Sequence, residues 1–429
     1  MRRSCCTHLA GLLLGAALAG AQPKPPEPVP AKLFVPRGGL GNTLAKLQAG
    51  GEVRIAYFGG SITAQAGWRV KTLKWFAEQW PKAKVVEINA TIGGTNSEHG
   101  VYRCGQDVLA HKPDLVFVEF AVNDGGGDPG GVWRAMEGIV RQVRRANPLT
   151  DICYVYTFRV GYEAQLDAGH NPPAAGFHER VADRYGIPSI NVAMRTAELA
   201  RAGKLVYTPK LGPDGKKLPV EAGVTLFSDD GVHPLDGGHQ VYFEVIRDAF
   251  GQLRPAAQPQ PHALPAPLLA DNWEAAKLVP LKPAMLSAGW RKLAPTEGLA
   301  KGFASRLPEL WIAEKPGETI SFRFRGTTAK LYDLLGPDGG QVSVEVDGKV
   351  SGPRPRFDSY CTYWRLANLP LAGGLPDGVH TVKVTILPEQ PNRRIVTDKI
   401  KDQPGFDPKK YDGTRMWVGS IMVLGDVVD

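Results

Sequence analysis

The feature that most constrains this chain is an alternation, beginning near residue 53, of short apolar runs with helical stretches. Residues 53–58, 84–88, 115–122, 152–157 and 187–191 read as strands, and residues 67–80, 132–145, 175–185 and 239–250 as helices. The run 115–122 is apolar except for Glu119, the pattern of a strand covered on both faces. Strands alternating with helices predict a parallel sheet between two helical layers, a three-layer α/β/α domain.

The texture changes after residue 252. Residues 253–268 are rich in Pro, Ala and Gln and form the best boundary. Beyond them, strand-like runs at 319–324, 328–332, 342–346 and 380–387 are separated by strong turn signals such as Pro337-Asp338-Gly339-Gly340 and Asp347-Gly348. Residues 269–429 are expected to form an antiparallel β-sandwich without helices. A chain of 429 residues accommodates two such domains.

The N-terminal residues read as a secretory signal. Arg2 and Arg3 precede an apolar run over 9–18, and Ala19-Gly20-Ala21 offers a cleavage site after Ala21. The run is shorter than the ~20 residues of a spanning helix, so no membrane span is expected. The reading is a secreted or periplasmic protein with a signal at 1–21, a Pro-rich spacer at 22–31 and a first domain at 32–252. Cleavage leaves Cys104, Cys153 and Cys361, an odd number, so at least one thiol is free or pairs between chains; a Cys104–Cys153 bond stays open. The net charge of +8 is spread along the chain with no basic block interleaved with aromatics, which argues against a nucleic-acid partner.

Four polar blocks punctuate the first domain. Phe58-Gly59-Gly60-Ser61-Ile62-Thr63 lies between a buried strand and a helix, where glycines permit a sharp turn and leave the Ser61 hydroxyl exposed near a helix N-terminus. Ile92-Gly93-Gly94-Thr95-Asn96-Ser97 can leave a backbone N–H free to face a substrate oxygen. Ala121-Val122-Asn123-Asp124-Gly125 ends the most apolar strand, at the edge where parallel sheets bind ligands, and the Asn123 amide can donate to an oxyanion. In Asp230-Gly231-Val232-His233-Pro234 a carboxylate can hold an imidazole in one tautomer, leaving its other nitrogen to take a serine proton. Singly, each block is an ordinary loop signal; in this order they define a constellation.

That constellation resembles the SGNH (GDSL-like) hydrolase superfamily over about residues 52–250. Gly60 stands where the family often has Asp, and Ala121 where it usually has Gly. The resemblance implies a flavodoxin-like α/β/α fold with no metal or other cofactor. It implies ester or thioester hydrolysis, with Ser61 as nucleophile, His233 as base, Asp230 orienting it, and an oxyanion hole from the Ser61 and Gly94 N–H groups and the Asn123 amide. The second domain looks like the jelly-roll module that accompanies many carbohydrate esterases. Together these readings favour removal of acyl groups, above all acetyl, from a glycan. The alternatives are a lipase or thioesterase, or a non-catalytic glycan-binding protein on a hydrolase fold.

Other residues carry weaker signals. Trp68, His99, Arg103 and Glu119 are candidates for a pocket lining, although Trp68 and Glu119 equally suit the core. His178 and His239 read as surface or helix residues. Asp124 and Asp128 suggest a calcium loop only faintly. Trp311, Tyr360, Tyr363 and Trp364 could stack on sugars or fill the sandwich core.

Overall fold

The computed structural model describes residues 27–429. The expected signal segment, Cys5 and Cys6 and the start of the spacer lie outside the described residues. No helix among the described residues is long and apolar enough to cross a membrane.

The first domain opens with β1 (Phe34–Val35), α1 (Gly41–Ala49), β2 (Glu52–Gly59), α2 (Ser61–Ala64), α3 (Trp68–Gln79) and β3 (Lys84–Asn89). It continues with α4 (Ser97–Asp107), β4 (Leu115–Glu119), α5 (Ala121–Asp124), α6 (Pro129–Ala146) and β5 (Asp151–Tyr156). It closes with α7 (Glu163–Asp167), α8 (Pro173–Tyr185), β6 (Ser189–Asn191), α9 (Val192–Arg201), β7 (Leu205–Val206), β8 (Thr225–Leu226) and α10 (Asp236–Phe250). The main sheet has the order β1-β6-β5-β4-β2-β3. All its pairings are parallel except that of the short β1 with β6. Every residue of β4 and β5 is buried, as burial on both faces requires. The chain passes from β2 outward to β3 and then returns to the other side of β2 as β4. The crevice at the carboxyl ends of β2 and β4 is therefore a topological switch point, where α/β sheets bind ligands.

Local signals explain the helix ends. In α6, Pro129 occupies the first turn and Asp128 accepts from the Gly131 N–H at 2.7 Å. Asn96 caps α4 by accepting from His99 N–H at 3.1 Å. The expected strand over 115–122 is shorter than read: it stops at Glu119, and residues 121–124 form the one-turn helix α5.

The second domain contains β9 (Ala276–Pro280), β10 (Arg291–Lys292), α11 (Gly298–Phe303), β11 (Trp311–Ala313), β12 (Thr319–Leu335) and β13 (Gln341–Val346). It ends with β14 (Lys349–Pro355), β15 (Arg365–Ala372), β16 (Gly378–Ile386), α12 (Arg394–Ile400) and β17 (Met416–Val428). It is antiparallel, as expected, but α11 and α12 correct the expectation of no helix. The two runs read at 319–324 and 328–332 are one 17-residue strand. Its first half pairs with β16 and its second half with β15, while β17 runs along both. The bend falls where Gly326 (φ 143°) crosses Gly425 (φ 133°). A Cβ at either would stand about 2 Å from the opposite backbone carbonyl, at Leu424 or Arg325. The halves thus turn around a core of Phe322, Phe324, Leu331, Val344, Leu369, Val384 and Ile421.

The two domains share a continuous apolar core. Val101, Tyr102 and Val132 of the first pack in one cluster with Leu307, Leu310, Tyr332, Leu334 and Met422 of the second. The Pro-rich segment between them is docked. Arg141 donates to Pro265 O at 2.9 Å, Arg184 to Ala266 O at 2.7 Å, and His262 Nε2 meets Asp151 Oδ1 at 2.7 Å. The buried Glu137 carboxylate accepts from the Leu268 and Leu269 amides at 2.5 and 2.9 Å and from the Tyr185 hydroxyl at 2.7 Å. Glu137→Ala strands two amides and a phenol, so it should cost roughly 2–4 kcal/mol in urea unfolding. The shared core means that both domains should unfold in one transition; two separate transitions in the wild type would contradict it.

Candidate active site

The four polar blocks converge at the switch-point crevice. Ser61 is the first residue of α2, directly after β2, and its hydroxyl donates to His233 Nε2 at 2.8 Å. His233 Nδ1 lies 2.7 Å from Asp230 Oδ2. With Nδ1 protonated toward the carboxylate, Nε2 is the acceptor for Ser61. The Asp230 and His233 side chains keep 55% and 39% of their exposure, so the centre opens onto the surface rather than into a sealed chamber.

Asp230 is held by several donors. Its Oδ1 accepts from Val232 N–H at 2.9 Å, His233 N–H at 2.8 Å and the Ser228 hydroxyl at 2.9 Å. Partial burial alone would raise this carboxyl. The hydrogen bonds from the His233 ring, the two amides and Ser228 outweigh that and hold it well below the usual carboxylate range. Ser228 is buried and also accepts from the Asp230 and Gly231 amides at 3.2 and 3.0 Å. Sequence reading missed Ser228. Its signal, a serine two residues before Asp230, is a common turn pattern.

Close backbone approach brings the other blocks to Ser61. A Cβ on Gly60 would lie 2.2 Å from Asn123 Oδ1, and one on Gly59 2.7 Å from Glu119 O. A side chain at 60 would displace Asn123. Gly94 sits at φ 72° with open space where a Cβ would be, and a Cβ on Gly93 would touch that of Ser61 at 3.6 Å. Asn123 thus projects from α5 beside the Gly60–Ser61 turn, although it does not end a strand as expected.

Asp124 is buried and points inward, not into a calcium loop. Its Oδ1 accepts from the Ser97 amide and hydroxyl at 2.9 and 3.0 Å, and its Oδ2 meets His178 Nε2 at 2.8 Å. One carboxylate therefore ties the residue after Asn123 to the start of α4, just beyond the Gly93-Gly94 turn. His178 and His239 are on helices but buried rather than at the surface; His239 Nδ1 accepts from the Trp68 amide at 3.2 Å. Trp68 is core, and His99 and Arg103 are buried beneath the second domain rather than lining a pocket. Trp311 is core as well, whereas Tyr360 and Tyr363 are 68% and 56% exposed; Trp364 is half-buried and donates from Nε1 to Asp338 at 3.0 Å. Cys104, Cys153 and Cys361 are all free and buried.

Glu119 lies beneath the Ser61 turn. It accepts from the Thr63 and Thr157 hydroxyls at 2.7 and 2.9 Å. Burial pushes its carboxyl up to about 7, the two threonine bonds oppose this, and Asp124 adds to it.

The fold and the site together define a two-domain α/β hydrolase with an antiparallel β domain behind it. Residues 57–241 match the family model described as GDSL-like Lipase/Acylhydrolase family. That stretch of the first domain is similar to that family, and the match supports a carboxylic ester hydrolase. Across both domains the chain is similar in fold to a crystal structure of a two-domain esterase (CEX) active on acetylated mannans, co-crystallized with mannopentaose. The TM-score is 0.67 at 21% identity, covering 92% of this chain and 98% of that one. A second crystal structure of a two-domain esterase (CEX) active on acetylated mannans gives a TM-score of 0.66 at 21% identity, covering 91% and 96%. No curated protein sequence matches the chain.

The Glu119 carboxyl yields a pH signature. Unfolded, it loses its proton near the ordinary 4.5; folded, near 7. Between these values the folded state binds more protons, so stability falls as pH rises across that window. At about 1.4 kcal/mol per pKa unit the loss is on the order of 3 kcal/mol. Glu119→Gln should flatten this part of the Tm–pH curve; an unchanged slope would exclude the assignment.

Proposed function

We propose that this protein is a secreted serine esterase that removes O-acetyl groups from a glycan. The observation that carries the reading is the unbroken chain from Ser61 Oγ through His233 to Asp230, opening at the surface of the switch-point crevice. Ser61 attacks the acetyl carbonyl as its proton passes to His233 Nε2. Asp230 fixes the imidazole tautomer and stabilises the imidazolium. The tetrahedral oxyanion is held by the Ser61 and Gly94 amides and the Asn123 carboxamide. His233 then returns the proton to the leaving sugar hydroxyl. Water, deprotonated by the same imidazole, attacks the acetyl-serine and releases acetate.

Three features support the acetylated-glycan substrate. The centre is open, which suits an ester borne on a bulky polymer. The architecture of both domains follows that of an esterase active on acetylated mannans. The N-terminal Arg-Arg, apolar run and Ala-Gly-Ala pattern directs the chain to where polysaccharides are met.

With p-nitrophenyl acetate, Ser61→Ala should lower kcat at least ~10³-fold. Asn123→Ala should lower it roughly 10²–10³-fold, the usual loss for one oxyanion donor. Wild-type rates from Ser61→Ala would sink the serine mechanism. In paired assays, acetate release from acetylated polysaccharide should exceed hydrolysis of p-nitrophenyl octanoate. The reverse preference would replace the glycan substrate with a long-chain acyl ester.

A further inference from the structure

The Gly93-Gly94 turn hangs from the edge of the sheet. β3 is the terminal strand and pairs only with β2, so the chain leaving it has no strand neighbour on its outer side. Its amides turn inward: Ala90 N–H donates to Tyr57 O at 3.0 Å and Ile92 N–H to Gly59 O at 3.1 Å. Its carbonyls are taken by two arginines. Arg103 of α4 donates from Nη1 to Ala90 O at 2.6 Å. Arg306, from the second domain, donates from Nη2 to Asn89 O at 2.7 Å and to Thr91 O at 3.0 Å.

Arg306 is itself anchored. Gln106 Nε2, on α4, donates to the Arg306 carbonyl at 3.0 Å, and the Arg306 amide donates to Phe303 O at 2.9 Å. The adjoining Leu307 is buried in the core that both domains share. Two further contacts press the second domain on the start of α4. Lys330 pairs with Glu98, and Asn368 Nδ2 donates to His99 Nδ1 at 3.3 Å. Downstream of Thr91 the turn has little of its own to hold it: Ile92 O accepts from the Thr95 hydroxyl at 2.8 Å and from the Thr95 amide at 3.4 Å. Gly94 lies three residues beyond the last carbonyl that Arg306 grips.

We propose that Arg306 is a positioning residue for the Gly94 amide, so that the second domain is part of the machinery of ester hydrolysis for small esters as well as for polymers. This rests on the reading of Gly94 as an oxyanion donor. A guanidinium that spans two carbonyls fixes the direction of the segment 89–91. Without it the edge segment can tilt, and a donor misplaced by a fraction of an ångström loses most of its effect on the transition state.

The test uses the full chain and p-nitrophenyl acetate. Arg306→Ala should lower kcat about tenfold or more while KM stays within about twofold, because the Arg306 guanidinium is engaged with the Asn89 and Thr91 carbonyls and acts on the transition state through them. Arg306→Lys keeps the charge but has a shorter side chain and no planar guanidinium, so its ammonium reaches the two carbonyls less well and should recover only part of kcat. Millimolar guanidinium should restore part of the Arg306→Ala activity, which a general loss of stability would not allow. If Arg306→Ala does not fold, Arg306→Lys carries the test, with a several-fold loss in kcat expected. Full kcat in the folded variants alongside an inactive Ser61→Ala overturns the positioning role and leaves the serine mechanism standing. A rise in KM alone also overturns it. Wild-type activity in Ser61→Ala removes the underlying mechanism and the positioning role together.

Discussion

At Gly60 the backbone of the Ser61 turn, the Asn123 side chain and the Thr95 carbonyl meet with no room for a Cβ. The strand-to-helix turn at Ser61, the Gly93-Gly94 turn and the one-turn helix bearing Asn123 all depend on that contact. A methyl group on Gly60 would enter the Asn123 carboxamide, and one on Gly59 would enter the Glu119 carbonyl. In this chain neither of these two consecutive residues has room for a Cβ unless the Asn123 side chain or the Glu119 backbone shifts. This is the physical content of the Gly-Gly pair.

Buried or restrained carboxylates then hold the segments in register. Asp230 is fixed by Ser228 and two amides before it meets His233. Asp124 spans from α5 to the start of α4 and on to α8 through His178. Glu119 bridges the threonines on either side of its strand, Thr63 and Thr157. Each carboxylate is satisfied by short-range donors, so the polar floor of the crevice is rigid while its mouth stays open. Pre-organisation of this kind lets a hydrogen-bond donor favour developing charge without rearranging first.

Much of this was legible in the sequence, for definite reasons. The parallel sheet between helical layers follows from short apolar runs that alternate with helical stretches, and the polar blocks stand out because they interrupt apolar runs. The helix α4 was not read, since Ser97–Asp107 buries polar side chains such as Arg103 and Asp107 and lacks a clean apolar stripe. The end of β4 was placed too late because Ala121 and Val122 prolong the apolar run, while the backbone already turns at Phe120 (ψ −4°). In the second domain the runs 319–324 and 328–332 read as separate strands, yet they are one strand bent at Gly326. Arg306 carries no local signal at all: its partners lie 215 and 217 residues away, at carbonyls that any residue type would supply.

The Pro-rich stretch between the domains is ordinary by composition, but its docking on α6 and α8 alters what the second domain can contribute. A module on a loose tether raises the local concentration of its ligand over a range of distances and orientations. A module seated on a common core cannot do so. Any surface it offers to a polymer stands at one fixed distance and angle from Ser61. The protein is then less a catalyst with a grappling line than a gauge, accepting an ester only when the rest of the chain that bears it lies along one path.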